Sequence, residues 1–146
     1  MMGKPVLFMS LKFMIYCKGV FLPTSIVLIS LLFGCSSGPE KLGRLDLVKW
    51  RQDRAACAGV RSGLVSDFKI EQANLMGKFA DDVGNILGKP DIHQLGGRNQ
   101  KFYVYFLEKG IQCEDITKPS PALKVILRFN AVGLLSEITY QNDLPK

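Results

Sequence analysis

The pattern of apolar residues changes period once along the chain, and this change restricts the fold more than any other feature. Between residues 45 and 87, apolar side chains recur every three or four positions, as on one face of a helix. Gly88 and Pro90 end that pattern, and from residue 101 apolar residues alternate along the chain, as they do in strands. Helices followed by strands indicate an α+β domain.

The helical part is predicted to form two helices. The first spans residues 45–68, with Gly59 and Gly63 as the positions at which it would break. Trp50 is interpreted as a core residue of this helix. Its apolar face comprises Leu47, Trp50, Cys57, Val60, Leu64 and Phe68.

The second helix is about ten residues long and has clear signals at its start and its end. Asp81 and Asp82 lie in its first turn, where carboxylates interact favourably with the helix dipole. Gly88 is suited to the turn that ends it, and Pro90 prevents its resumption. Its apolar stripe comprises Phe79, Val83, Ile86 and Leu87.

Three antiparallel strands are predicted after the helices. Residues 101–107 form the first strand, and residues 123–140 form a hairpin that turns at Gly133. The segment between them is a loop containing Pro119 and Pro121. The expected fold is α+β, with two helices packed on a three-stranded antiparallel sheet.

Residues 1–34 have the character of an export signal. Lysines precede an uncharged run of 16 residues at positions 19–34. A membrane-spanning helix needs about 20 apolar residues, whereas a signal peptide needs basic residues, a shorter apolar core and a small residue at the cut. We expect residues 1–34 to be a signal peptide that starts at Met1 or Met14, with an uncleaved membrane anchor as the alternative.

The end of this segment resembles the lipobox of bacterial lipoproteins: Leu32, Phe33 and Gly34 precede Cys35. Phe33 is bulkier than the residue usual at its position. The resemblance implies cleavage before Cys35, diacylation of its thiol and N-acylation of the new terminus. Ser36 implies sorting to the outer membrane, with the domain facing the periplasm.

Residues 35–44 are rich in small and polar side chains and are predicted to be the lipidated tether, a flexible segment of which about seven residues reach at most about 25 Å. The folded domain is then expected at residues 45–142. The lipid anchor would attach this domain to the membrane.

The chain from about residue 70 to residue 140 resembles the BamE/SmpA family of small outer-membrane lipoproteins. The family motif is a Gly, a helix with an internal Val, and Leu-Gly-x-Pro. Phe79 departs from it, because the family often has Thr or Ser there as a helix N-cap. The matching positions are Gly77, Val83, Leu87, Gly88 and Pro90.

Two later features are similar to the same family. They are the Tyr-x-Tyr strand at residues 103–105 and a closing hairpin from Phe129 to Gly133. The stretch "WRQDRAACAGVRSGL" resembles an uncharacterised variant of Bacteroidetes-type lipoproteins. The resemblance implies a two-layer α+β fold, also found in β-lactamase inhibitor proteins, and no catalysis.

Two of the four cysteines are expected to remain free for pairing in the mature domain. Cys17 leaves with the signal peptide and Cys35 carries lipid, so Cys57 and Cys113 remain. An exported domain favours a disulfide between them, which would stabilise the fold by about 4 kcal/mol; two unpaired thiols are the alternative. With His93 they make only three potential ligands, so no structural zinc site is predicted.

Charge and motifs argue against several function classes. Residues 35–146 carry 16 basic against 13 acidic side chains, without the basic stripe of a nucleic-acid-binding protein. The sequence contains no phosphate-binding glycine loop, His-Glu metal pair or nucleophile elbow. Asp81 and Asp82 are adjacent and point about 100° apart on a helix, so they cannot form a catalytic dyad. We expect no enzyme activity, cofactor, metal or nucleic-acid partner.

The predicted function is a protein-binding or scaffold module at the outer membrane, in β-barrel assembly or envelope maintenance. The predicted partner surface consists of Tyr103 and Tyr105 with the loop that contains Arg98. A ligand-binding or enzyme-inhibitor module is the second hypothesis, and an unrecognised hydrolase is the third. Arg51, Arg54 and Arg61 are read as a solvated helix face that could meet anionic headgroups.

Overall fold

The computed structural model describes residues 38–145. This part of the chain forms three helices, a four-stranded antiparallel sheet and a two-stranded ribbon. Short 3₁₀ turns occupy Arg54–Ala56, Gln72–Leu75 and Ile111–Cys113. In chain order the elements are β1 (Lys41–Leu42), β2 (Leu45–Asp46), α1 (Leu47–Gln52), α2 (Val60–Glu71), α3 (Ala80–Leu87), β3 (Ile92–Leu95), β4 (Lys101–Phe106), β5 (Lys124–Phe129) and β6 (Leu135–Gln141).

The large sheet has the strand order β3-β4-β5-β6, so each strand pairs with its neighbours in sequence. Tyr103 lies opposite Leu127, which lies opposite Ile138 in turn. A register shift between Arg128 and Phe129 marks a bulge near the β5–β6 turn.

The three helices cover one face of the sheet. Alternate residues of β4 and β5 point to that face because strand side chains alternate, and they form one core with the helices. Trp50 of α1 stacks on Phe68 of α2 with ring centroids 4.9 Å apart. The buried members of this core include Leu47, Trp50, Phe68, Val83, Leu87, Tyr105, Val125, Leu127 and Phe129.

The opposite face of the sheet carries a smaller apolar cluster of Phe102, Val104 and Ile126. The carboxyl-terminal residues are bound to this side of the molecule. Gln94 of β3 donates from Nε2 to the carbonyl of Pro145 at 3.0 Å. The buried ammonium of Lys124 donates to the carbonyls of Ser120, Ala122 and Asn142.

The prediction of two helices on a three-stranded sheet is wrong, although the mixed α+β character is correct. The missed strand β3 has only four residues, too few for its alternation to be recognised from the sequence. The ribbon β1–β2 consists of two-residue strands, which are too short to show a period. Its first strand lies in the predicted tether of residues 35–44, so the folded part begins earlier than expected.

The predicted single helix over residues 45–68 is also wrong. The chain leaves the helix after Gln52 and resumes it only at Val60. Ala55 and Ala56 both have positive φ, at 55° and 58°, which a right-handed helix does not accommodate, so the short turn there interrupts the helix. The second predicted helix occurs as α3, and the predicted hairpin occurs as β5 and β6.

Candidate functional site

An apolar patch lies where the start of α3 meets the β5–β6 turn. We define this patch as Met76, Phe79 and Val132, which are 44%, 57% and 70% exposed. Hydrogen bonds hold the two segments together: the Gly77 amide donates to the Leu135 carbonyl, and the Leu135 amide donates to the Lys78 carbonyl, both at 2.9 Å. The patch therefore stands on two segments that backbone hydrogen bonds join.

Phe79 occupies the N-cap position of α3 without capping it. Its backbone is extended, with φ −68° and ψ 152°, and its side chain makes no cap hydrogen bond. Phe79 belongs to the predicted apolar stripe of the helix, but it does not pack in the core with Val83 and Leu87, because more than half of its side chain is exposed. Met76 and Val132 were not identified from the sequence. The sequence offered one signal of this patch, which is a phenylalanine at a helix N-cap, where Ser or Thr is favoured.

The three residues that were predicted to form a partner surface differ in exposure. Tyr105 is fully buried, and its hydroxyl donates to the Gly88 carbonyl at 2.8 Å, so its assignment to that surface is wrong. Tyr103 is half-buried, with its ring edge-on to Phe129 at 4.8 Å. Arg98 is exposed in the β3–β4 loop.

A buried ionic cluster joins α2 to the strand β4. Arg61 was interpreted as part of a solvated face, which is wrong, since its side chain is 1% exposed. Its guanidinium contacts the Asp91 carboxylate at 2.5 Å and donates to the carbonyls of Trp50 and Phe106. Asp53, also buried, accepts from the amides of Ala58 and Arg61 at 2.8 Å.

The turn at Ala55 and Ala56 is held in its left-handed conformation by distant parts of the chain. The Ala55 amide donates to Asp91 at 3.0 Å, and its carbonyl accepts from Gln112 at 3.1 Å. Cys57, which follows the turn, lies at disulfide-bonding distance from Cys113, with Cα atoms 5.5 Å apart. This is the pair predicted from the sequence. Its place beside the strained turn indicates a structural role.

Among the surface cavities of residues 38–145, two lie next to features described above. One, of about 240 Å³, is lined by Arg54, Ala55, Asp91, Gln112 and Ile116, next to the strained turn. The other is an open groove of about 460 Å³ on the sheet face that carries Phe102 and Ile126. Its carboxylate Glu137 is paired with Arg128 at 2.6 Å. Within residues 38–145, no three His, Cys, Asp or Glu side chains are grouped to hold a metal ion.

Comparisons with protein-family models, with curated proteins and with solved structures found no significant match. The BamE/SmpA resemblance therefore depends on the sequence motifs alone. No helix in the described part of the chain is long and apolar enough to cross a membrane. The predicted signal peptide and lipidation site Cys35 lie outside the described residues.

Proposed function

We propose that the protein is a non-enzymatic outer-membrane lipoprotein that binds another envelope protein through the apolar patch. Acyl chains on Cys35 would anchor the domain, and the domain would face the periplasm. The observation that carries the proposal is the exposure of Phe79 on a hydrogen-bonded backbone.

The patch supports protein binding because Phe79 does not stabilise the isolated domain in the way that a capping residue at its position would. A Ser or Thr at an N-cap typically adds about 0.5–2 kcal/mol of stability over an alanine, and Phe79 makes no such hydrogen bond. Aromatic side chains are enriched at the centres of protein interfaces. Met76 and Val132 beside it would extend the apolar contact.

Anchoring and compartment are supported from the sequence and from the cysteine pair. The lipobox-like residues 32–35 imply acylation, and two or more acyl chains hold a protein stably on a bilayer. Cys57 and Cys113 at bonding distance suit an oxidising compartment such as the periplasm. The family resemblance suggests β-barrel assembly or envelope maintenance as the process.

Site-specific photo-crosslinking in living cells tests the proposal. The full-length chain carries a photoreactive residue in place of Met76 or, as a control, in place of Ile111. The two are matched in exposure, at 44% and 45%, but Ile111 lies outside the patch. We expect an adduct with one envelope protein, identified by mass spectrometry, from position 76 and none from position 111.

A Phe79→Ser exchange should abolish that adduct while leaving the domain folded. An adduct with a subunit of the barrel-assembly machinery would establish the proposed process. An adduct with a secreted enzyme would instead favour the inhibitor hypothesis. The same adducts at both positions, or adducts that survive Phe79→Ser, would overturn the assignment of the patch.

A further inference from the structure

We infer that the surface at the carboxyl-terminal end of α3, around Gly38 and Lys89, lies against the lipid bilayer and that the apolar patch points away from it. This inference rests on the acylation of Cys35 in the proposed function. The surface would contact the headgroup layer of the membrane that holds the acyl chains.

The first step is the point at which the chain joins the domain. A Cβ on Gly38 would lie 2.5 Å from the Asn85 carbonyl oxygen, so only glycine allows this close approach to α3. Arg51 reinforces the junction, because its guanidinium donates to the carbonyls of Ile86 at 3.1 Å and Pro39 at 2.7 Å. The chain is therefore fixed to the end of α3 from Gly38 onward.

The second step is the length of chain between anchor and domain. Three peptide units separate Cys35 from Gly38, and they span at most about 11 Å. A flexible tether over all of residues 35–44 would have left the domain free to turn. The shorter link keeps the surface around Gly38 beside the headgroups.

The third step is the position of the apolar patch on the same helix. Phe79 immediately precedes α3 and Gly88 immediately follows it. The eight residues of α3 separate the two ends by about 12 Å. Phe79 therefore lies at the end of α3 remote from the tether, and in the inferred orientation it faces the periplasm, where a protein partner can reach it.

The charges around Gly38 are compatible with a headgroup layer. Glu40 and Lys41 follow Gly38 closely in the chain and are exposed, as are Lys89, which follows α3, and Asp82 within α3. Arg51 adds a cation whose donors are partly used by the two carbonyls. Lysines near an anionic surface are attracted to it, so they add to an orientation that the tether sets.

Two lysines that flank α3 provide a matched test. Lys78 and Lys89 are both exposed and lie just before and just after the helix. Each is replaced in turn by a photoreactive diazirine residue in the full-length, acylated protein, reconstituted in vesicles of phosphatidylethanolamine and phosphatidylglycerol. Lipid adducts are then counted by mass spectrometry. We expect several-fold more lipid adduct from position 89 than from position 78.

An insertion of about twelve Gly and Ser residues after Ser37 supplies the control. It leaves residues 32–36 intact and gives the link a root-mean-square length of about 20 Å, with a maximum span well beyond that, so the two positions should then give similar adducts. Equal adducts without the insertion, or more adduct at position 78, would overturn the inference while the acyl mass on Cys35 upholds the anchor. Absence of acyl mass would overturn both proposals.

Discussion

The guanidinium of Arg61 and the carboxylate of Asp91 form an ion pair inside the domain, with Nη1 and Oδ2 2.5 Å apart and both side chains 1% exposed. Asp91 also accepts from the amides of Ala55 and Phe106. One carboxylate thus ties helix α2, the strained turn and strand β4 together.

Replacing Asp91 by Ala should destabilise the domain by about 3–5 kcal/mol, because Arg61 would remain buried without its counter-charge. Urea unfolding followed by circular dichroism measures the change. Asp82→Ala, at an exposed position on α3, should cost no more than about 1 kcal/mol. In the double variant with Arg61→Met the loss should be smaller than the sum of the single losses; additive losses would show that the pair does not couple.

Phe79→Ser should stabilise the isolated domain by about 0.5–1 kcal/mol, because a serine hydroxyl can accept a hydrogen bond from a backbone amide in the first turn of α3. The matched control is Ile70→Ser, since Ile70 is also 57% exposed but lies within α2. It should change stability by no more than about 0.5 kcal/mol in either direction. A loss of stability in Phe79→Ser would mean that Phe79 contributes to packing, and its assignment to a binding surface would weaken.

Ala55→Gly should stabilise the domain by about 0.5–1 kcal/mol. The left-handed conformation costs an L-residue about 1–2 kcal/mol, and the greater flexibility of glycine in the unfolded chain offsets about half of that gain. Ala73→Gly, in the turn Gln72–Leu75, should instead be destabilising. The comparison is made from urea midpoints; a destabilised Ala55→Gly protein would contradict the strain assigned to this turn.

Stability should fall as the pH rises above 10. Burial raises the pKa of Tyr140 to about 12, and it also raises the pKa of Tyr105. Their hydroxyls donate to Gln72 and to the Gly88 carbonyl. The folded state thus favours the neutral phenols, so their contribution is complete below pH 10 and is lost as the pH rises through 12.

The variant Tyr140→Phe isolates one of these groups. Its free energy of unfolding should fall less steeply with pH than that of the parent between pH 10 and 12. The difference in slope should correspond to at most one proton. Burial lowers the pKa of Lys124, which has the opposite effect on stability, but this contribution is common to both proteins and cancels in the comparison. Parallel curves would contradict the perturbed pKa of Tyr140.

The sequence predicted elements whose signals are local. Helix α3 has acidic residues in its first turn and Gly88 at its end, and β5 and β6 alternate around Gly133, so each could be recognised from its own residues. The break after Gln52 could not, because Ala55 and Ala56 keep positive φ through contacts with Asp91 and with the segment around Cys113. Alanine by itself favours a helix.

The candidate site was less predictable for the same reason. The buried state of Arg61 depends on a carboxylate 30 positions away, and Tyr105 is buried because β3 and the helices enclose β4. The patch joins Phe79 to Val132 through a backbone bridge between segments that are distant in sequence. Only the cysteine pair could be selected over such a distance, since Cys57 and Cys113 were the two cysteines left for the mature domain.

The most direct test of the proposed function is the intact mass of the protein isolated from cell envelopes. The account predicts a chain that begins at Cys35 and carries the mass of a diacylglycerol and an amide-linked acyl group, and that leaves the membrane fraction when Cys35 is changed to Ser. A chain that retains residues 1–34 and carries no acyl mass would contradict it.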